Sequence, residues 1–277
     1  MNFKMMIGLL LPLAAEGEAI DKGDPRIRGW ASVVHAYVPG EELEEGWRET
    51  GEALGPAEGG AFTVVSLGRG GSLTLGFPRP IVDGPGIDFA VFENAFSASF
   101  LELAFVEVSE NGVDFVRFTS DSRTPAPVGP FGGVNPENVD GLAGKYPAGQ
   151  GTGFDLSGTG LSSVRFVRLV DVVGGQDVDS SGDLIFDPYP TVGSAGFDLD
   201  GVGVLHFQAR EPELHLRRLA TGDLTLQWRL ELGERRLLMG SNGLLDSWEP
   251  LLTLTGTGQV ETTALGSPGL KMFYRLQ

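Results

Sequence analysis

Hydrophobic and polar positions alternate with a period of two along much of the chain, and turn-forming residues interrupt the alternation at short intervals. The clearest case is residues 106–118, where valine and phenylalanine alternate with polar residues on both sides of Asn111-Gly112. Asn111-Gly112 and Gly70-Gly71 both suit tight hairpin turns. Five antiparallel strands are predicted in this region: Phe62–Leu67, Ser72–Phe77, Asp88–Phe92, Leu101–Ser109 and Val113–Phe118.

An acidic loop separates two further hydrophobic segments, residues 165–173 and 197–207, which predict a pair of strands around the loop. No Lys or Arg lies between Val170 and Arg210. Crowded carboxylates repel one another unless a cation or hydrogen-bond donors offset their charge. The loop contains four aspartates: Asp177, Asp179, Asp183 and Asp187.

The order of residues in this loop resembles a calcium-binding loop, in which alternate oxygens face one ion and a glycine permits the bend. The twelfth position counted from Asp177 is Pro188 and not glutamate, which argues against an EF-hand. The sequence therefore predicts a calcium loop of another type, and the alternative is a solvated acidic turn. The predicted ligands are Asp177, Asp179, Ser181, Asp183 and Asp187.

Other acidic residues lie close to predicted strand ends. Asp198 and Asp200 flank Leu199, so both should point to one face of a strand, outside the core or at a second cation site. Asp171 could join the main loop. Glu93 and Asn94 follow a predicted strand and could line a ligand cleft, a cation site or a capped turn.

Turn-rich segments divide the chain into three parts. Residues 1–19 have a basic start, a short hydrophobic run and small residues, as in a secretory signal peptide. Residues 20–208 then form a large β-sandwich, in which 119–163 is a long loop rich in Gly and Pro. A linker near Pro212 leads to a small immunoglobulin- or fibronectin-like β-sandwich over 212–277.

Composition narrows the possible functions. The 42 Gly and 17 Pro fit short strands and turns, and a 41% hydrophobic content argues against disorder. A net charge of −17 disfavours binding to nucleic acid or to an anionic membrane surface. Without cysteine the chain can form no disulfide, thiolate metal site or cysteine nucleophile. No membrane insertion is expected after signal cleavage, and the oligomeric state stays open.

Three motifs resemble a group of uncharacterised, exported bacterial cell-surface proteins. They are DFAVFENAF (88–96), NVDGLAGKY (138–146) and GFDLDGVGVL (196–205), and the resemblance covers about residues 60–207. The sheets of this protein group are similar to those of jelly-roll, galactose-binding or discoidin-like carbohydrate-binding modules. The segment SNGLLDSWEPL…FYRL is similar to C-terminal β-modules in secreted proteins of the Verrucomicrobia and Planctomycetes. The resemblance implies an all-β, jelly-roll-like fold and a bacterial cell-surface location, and it assigns no binding residues.

Carbohydrate modules of this type stack sugars on exposed aromatic rings beside polar groups. The predicted ligand-binding residues are Glu93, Asn94, Tyr146 and Tyr189, and the loop aromatics Phe131 and Phe154 are further candidates. No triad, metalloprotease or phosphate-binding motif is present. The sequence thus predicts a secreted or cell-surface, calcium-stabilised and non-catalytic module that binds an extracellular glycan or surface polymer. Alternatives are a structural or adhesive surface protein and a polysaccharide hydrolase with paired carboxylates.

Overall fold

A computed structural model describes residues 17–210, 212–230, 234–242, 247–266 and 273–276. Most of the predicted signal peptide therefore lies outside the described residues. The chain divides into two compact units, Met1–Gln208 and Ala209–Gln277.

The described part of the first unit is built from short strands and four 3₁₀ helices. The strands are, in chain order, β1 (Ala19–Asp21), β2 (Gly29–Trp30), β3 (Val33–Val38), β4 (Val65–Ser66), β5 (Ser72–Val82), β6 (Phe89–Glu93), β7 (Ala104–Ser109), β8 (Val116–Arg117), β9 (Asp121–Ser122), β10 (Val139–Asp140), β11 (Leu142–Ala143), β12 (Gln150–Phe154), β13 (Ser163–Asp171) and β14 (Asp198–Val204). The helices are η1 (Glu45–Trp47), η2 (Thr50–Ala53), η3 (Pro136–Asn138) and η4 (Leu156–Gly158).

Two six-stranded antiparallel sheets form the body of this unit. The first has the order β1-β12-β6-β14-β2, with β4 also paired to β14. The second has the order β11-β7-β13-β5-β3, with β8 paired to β7. Alternating side chains from both sheets form one hydrophobic core, in which Phe89 and Val202 of the first sheet lie with Leu75 and Val167 of the second. The unit is therefore a β-sandwich.

The acidic segment connects the two sheets. The sequence had predicted that the strands on either side of it pair with each other, and this prediction is wrong. Strand β13 pairs with β5 and β7, whereas β14 pairs with β2, β4 and β6. The Gly70-Gly71 turn likewise leads from one sheet to the other and not through a hairpin. The Asn111-Gly112 turn does join paired strands, because Val108 lies opposite Val116.

Residues 119–163 are not one long loop, because they contain strands β9 to β12. Strand β12 lies between β1 and β6 in the first sheet, and its Gly151 lies opposite Phe92. Glycine allows this close approach, since a Cβ atom at Gly151 would lie 2.9 Å from the Phe92 ring. Weak alternation and many glycines hide this strand from a periodicity analysis.

The described part of the second unit has two three-stranded antiparallel sheets. Their strands are β15 (Glu213–Arg218), β16 (Leu224–Arg229), β17 (Arg235–Ser241), β18 (Glu249–Thr255), β19 (Val260–Gly266) and β20 (Phe273–Leu276). The sheet orders are β15-β16-β19 and β18-β17-β20. Leu226, Leu230, Leu238 and Leu254 form the core, and Trp228 packs against it. The antiparallel sheets confirm the predicted all-β class, while the jelly-roll and immunoglobulin-like connectivities stay predictions.

Candidate functional site

An open cleft of about 520 Å³ lies where β6 ends and β14 begins. Loops from several parts of the chain form its walls, and the end of β6 and the start of β14 supply polar groups. The residues lining it are Trp47, Ala61, Phe62, Asn94, Phe96, Phe100, Glu102, Pro130, Phe131, Pro190, Thr191, Val192, Ser194 and Asp198. We call this the aromatic cleft.

The aromatic rings form two stacks in the walls of the cleft. Phe96 stacks on Phe100 with ring centroids 4.5 Å apart, and Phe100 stacks on Phe131 at 6.4 Å. Trp47 stacks on Phe62 at 6.1 Å. Phe62, Phe96 and Phe131 are 82%, 73% and 87% exposed. Exposed hydrophobic rings gathered at one place mark a binding surface.

Three buried acidic residues lie at or behind the polar part of the cleft. Glu102 and Asp198 line it, and Glu93 lies at the adjacent end of β6 and accepts a hydrogen bond from the Ala95 amide at 2.7 Å. Burial, and then the charge of Asp198, raise the pKa of Glu93 well above its usual range. Burial and the same neighbour also raise the pKa of Glu102, although the Thr191 hydroxyl opposes this shift.

Burial raises the pKa of Asp198 to about 7, against the opposing effect of polar neighbours that include Asn94. Its Oδ1 atom is buried without a hydrogen-bond partner. Asp200 follows on β14 and is also buried, with its carboxylate accepting hydrogen bonds from the amides of Glu58 and Gly59 at 2.9 and 2.7 Å. Leu199 between them packs in the hydrophobic core, whereas Asp198 lines the cleft and the segment around Glu58 covers Asp200. Both acids are thus buried although neither belongs to the core cluster, and a second cation site stays a prediction.

Among the described residues, no three of the predicted calcium-loop aspartates bring carboxylate oxygens within 4.8 Å of one another. Asp177 accepts from the Val173 amide, and Asp187 accepts from the Leu103 amide. Asp179 accepts from the amides of Ser122, Ser181 and Asp183 at 2.8–3.0 Å. Burial raises the pKa of Asp179, but these hydrogen bonds outweigh it and hold the pKa below its usual range. Backbone amides thus offset part of the charge of Asp179. Asp183 and Ser181 are exposed.

A different acidic group could hold a metal ion. Within the described residues, Asp83, Asp88 and Asp155 bring carboxylate oxygens within 4.8 Å of one another. Asp88 is fully buried and accepts hydrogen bonds from the amides of Gly84 and Leu156, and His206 Nδ1 lies 2.8 Å from its Oδ1. Sequence reasoning missed this group because Asp155 lies far along the chain from Asp83 and Asp88, and the three residues have no metal-ligand spacing.

The four predicted ligand-binding residues lie in three places. Asn94 lines the aromatic cleft, where its amide donates to the Ala61 carbonyl at 3.2 Å, and Glu93 lies next to it. The Tyr146 hydroxyl donates to the carbonyl of Gly17, which lies next to β1. Tyr189 accepts a hydrogen bond from Arg69 at 2.9 Å.

Of the loop aromatics, Phe131 belongs to the cleft, whereas Phe154 is a buried core residue of β12. Sequence reasoning missed the contribution of Trp47 and Phe62 to the cleft. Trp47 lies in an acidic segment, and Phe62 had been assigned to a strand. The only signal was that both aromatic residues lie among polar and small neighbours, which is weak without knowledge of the fold.

No family model matches the chain, and no curated protein sequence matches it significantly. Fold and site together define an all-β sandwich with an aromatic cleft above buried carboxylates. Among the described residues, no helix has the length and hydrophobicity needed to cross a membrane.

Proposed function

We propose that the protein binds carbohydrate in the aromatic cleft, at the cell surface or outside the cell, without altering its ligand. The observation that carries this proposal is the combination of exposed aromatic stacks with Asn94, Glu102 and Asp198 in one cleft. A pyranose ring has a hydrophobic C–H face and a rim of hydroxyl groups. Aromatic walls suit the face, and carboxylate and amide oxygens suit the rim.

Alanine substitutions at Phe96 and Phe131 test this proposal. Each substitution removes a ring that a bound sugar would cover, so we expect affinity to fall about tenfold or more. The full chain is first screened on a glycan array, and the dissociation constant for the best glycan is then measured by isothermal titration calorimetry.

Phe115→Ala is the matched control, because Phe115 is a half-buried ring outside the cleft that packs on Arg168 at 3.8 Å. This variant should bind like the wild type. If no glycan on the array binds, or if all three variants bind equally well, the proposal is wrong. A failure on the array would instead favour the structural or adhesive role.

Hydrolysis of the glycan is the second candidate, favoured because Glu102 and Asp198 line the same cleft. A carboxyl group with a raised pKa can serve as a general acid opposite a second carboxylate. We would then expect wild-type protein to release reducing ends from a bound polysaccharide, and Asp198→Asn to abolish this release. Binding without any release supports the non-catalytic proposal.

Calcium is the cation that we propose for the protein. The candidate metal ligands are carboxylates, and hard oxygen donors favour calcium or magnesium over softer metals. The carboxylates of Asp83, Asp88 and Asp155 could hold such an ion. An ion bound only by the folded state would raise the melting temperature.

A further inference from the structure

A second, much smaller cavity adjoins the aromatic cleft. Its volume of about 10 Å³ is enough for one water molecule or one ion. Glu102 and Thr191 line both this cavity and the aromatic cleft. The other residues around the small cavity are Glu42, Arg69, Asp171, Val172, Asp187, Pro188, Tyr189 and Gly196. Three of the lining side chains are buried carboxylates, those of Glu102, Asp171 and Asp187, and each is at most 4% exposed.

Parts of the chain that are distant in sequence hold these carboxylates in place. Asp171, at the end of β13, accepts from the amides of Gly70 and Phe197, each at 2.8 Å. Asp187 uses its Oδ2 atom to accept from the Leu103 amide at 3.2 Å, and Leu103 follows Glu102 directly. Both sheets are thus tied to the wall of the cavity.

Two carboxylate oxygens at the cavity have no partner. Glu102 Oε1 and Asp187 Oδ1 are buried and accept no hydrogen bond. An unpartnered buried oxygen costs free energy, and more so if it carries charge. Gly174 approaches one of them so closely that a Cβ atom there would lie 2.4 Å from Asp187 Oδ1, so the backbone leaves room for this carboxylate.

Positive charge near the cavity does not balance the three carboxylates. Arg69 lines the cavity, but its guanidinium also contacts Glu41 and Glu42 on the surface. The nearby acids Glu93 and Asp198 add further negative charge beside Glu102. A folded chain can hold such a cluster of buried carboxylates if the carboxylates bind protons or share a cation.

We propose that the small cavity binds one calcium ion through Glu102, Asp171 and Asp187. Calcium takes six to eight oxygen ligands at about 2.3–2.6 Å, and backbone carbonyls or water would complete its shell. The three carboxylates do not all lie within 4.8 Å of one another. The ion therefore draws in the two free oxygens, Glu102 Oε1 and Asp187 Oδ1. This site is separate from Asp83, Asp88 and Asp155 and does not depend on glycan binding.

Calcium titration of the full chain tests the site. Protein freed of metal with EDTA and then exchanged into chelator-free buffer is titrated by calorimetry, and its melting temperature is followed by differential scanning fluorimetry. We expect the wild type to bind calcium and to melt at a higher temperature with it. Glu102→Gln and Asp187→Asn keep the side-chain shape but remove a charged ligand. We expect each to weaken calcium binding by roughly 10- to 100-fold or more.

Melting in EDTA separates loss of a ligand from loss of the fold. Both variants remove a buried like charge, so in EDTA they should melt at the wild-type temperature or above it. Glu110→Gln and Asp114→Asn are the matched controls, because they neutralise exposed acids that belong to no candidate metal group, and both should keep the wild-type response to calcium. The proposal is overturned if millimolar calcium neither binds nor stabilises the wild type. It is also overturned if the response persists in Glu102→Gln and Asp187→Asn, or disappears in a control variant.

Discussion

Asp198 belongs both to the first sheet, through its backbone, and to the aromatic cleft, through its side chain. Its backbone begins β14 opposite Ser66 of β4, and its side chain lines the aromatic cleft. A fully ionised carboxylate in this position would lie buried beside Glu93 and Glu102, both of which are also acidic. Asp198 therefore favours the protonated state more strongly in the folded chain than in the unfolded chain.

This preference predicts a pH-dependent effect of Asp198→Asn. Burial raises the folded-state pKa of Asp198 to about 7 from 3.8. Well below pH 3.8 the residue is protonated in both states and imposes no penalty. As the pH rises from 4 to 7 the unfolded chain loses the proton first, so the folded state loses relative stability, and above pH 7 the penalty is constant.

The asparagine variant removes the penalty, so its melting temperature should exceed that of the wild type by a few degrees at pH 8 and match it near pH 4. The measurement is a series of thermal melts in EDTA from pH 4 to pH 8. Asp121→Asn, at a half-exposed position on β9, is the control and should show no such trend. A melting difference for Asp198→Asn that is the same at every pH would contradict the argument.

The connection from β13 to β14 is an element whose fold depends on contacts with residues distant in sequence. Charge and spacing single out this segment in the sequence, and its Asp187 is buried close to Asp171. The ligand set that the motif indicates stays a prediction, and residues 177–185 fold as a tight turn in which Val178 bridges to Leu184. Spacing along the chain cannot reveal that Asp179 is satisfied by the Ser122 amide, which is 57 residues away.

This turn should depend on Asp179 and not on Asp183. Asp179→Ala leaves the amides of Ser122, Ser181 and Asp183 without their acceptor, and a lost buried hydrogen bond of this kind costs about 1–3 kcal/mol. We expect faster amide hydrogen exchange across residues 177–187, measured by mass spectrometry. Asp183→Ala changes an exposed side chain and should leave exchange as in the wild type. Equal effects of the two substitutions would contradict the turn described above.

At the scale of the whole molecule, the alternation of hydrophobic and polar residues predicted the all-β class, since successive side chains of a strand point to opposite faces. It could not predict which strands pair. Strand β14 lies between β6 and β2, whose residues precede it by more than 100 positions. It also could not predict the cleft, whose aromatic residues come from four separate segments and meet only after the sheets form. Long-range packing, which local pattern does not encode, decides both features.

Truncation of the chain just after β14 and just before β14 should have different effects. A chain ending at Gln208 keeps both sheets of the first unit, so it should give a β-type circular dichroism spectrum and one cooperative thermal transition. A chain ending at Phe197 lacks β14, which leaves one edge of β6 unpaired and exposes the core. We expect this shorter chain to be unfolded or aggregated. A cooperative transition in the shorter chain would show that β14 is dispensable.

The late position of β14 also matters while the chain is being made. Strand β6, whose five residues are all buried in the finished protein, is synthesised more than 100 residues before the partner that covers one of its edges. During that interval a strongly hydrophobic strand has an open edge, which is a template for association between nascent chains. A ribosome-bound chain from which β14 has not emerged should therefore recruit holding chaperones, and a chain long enough to expose β14 outside the ribosome should release them.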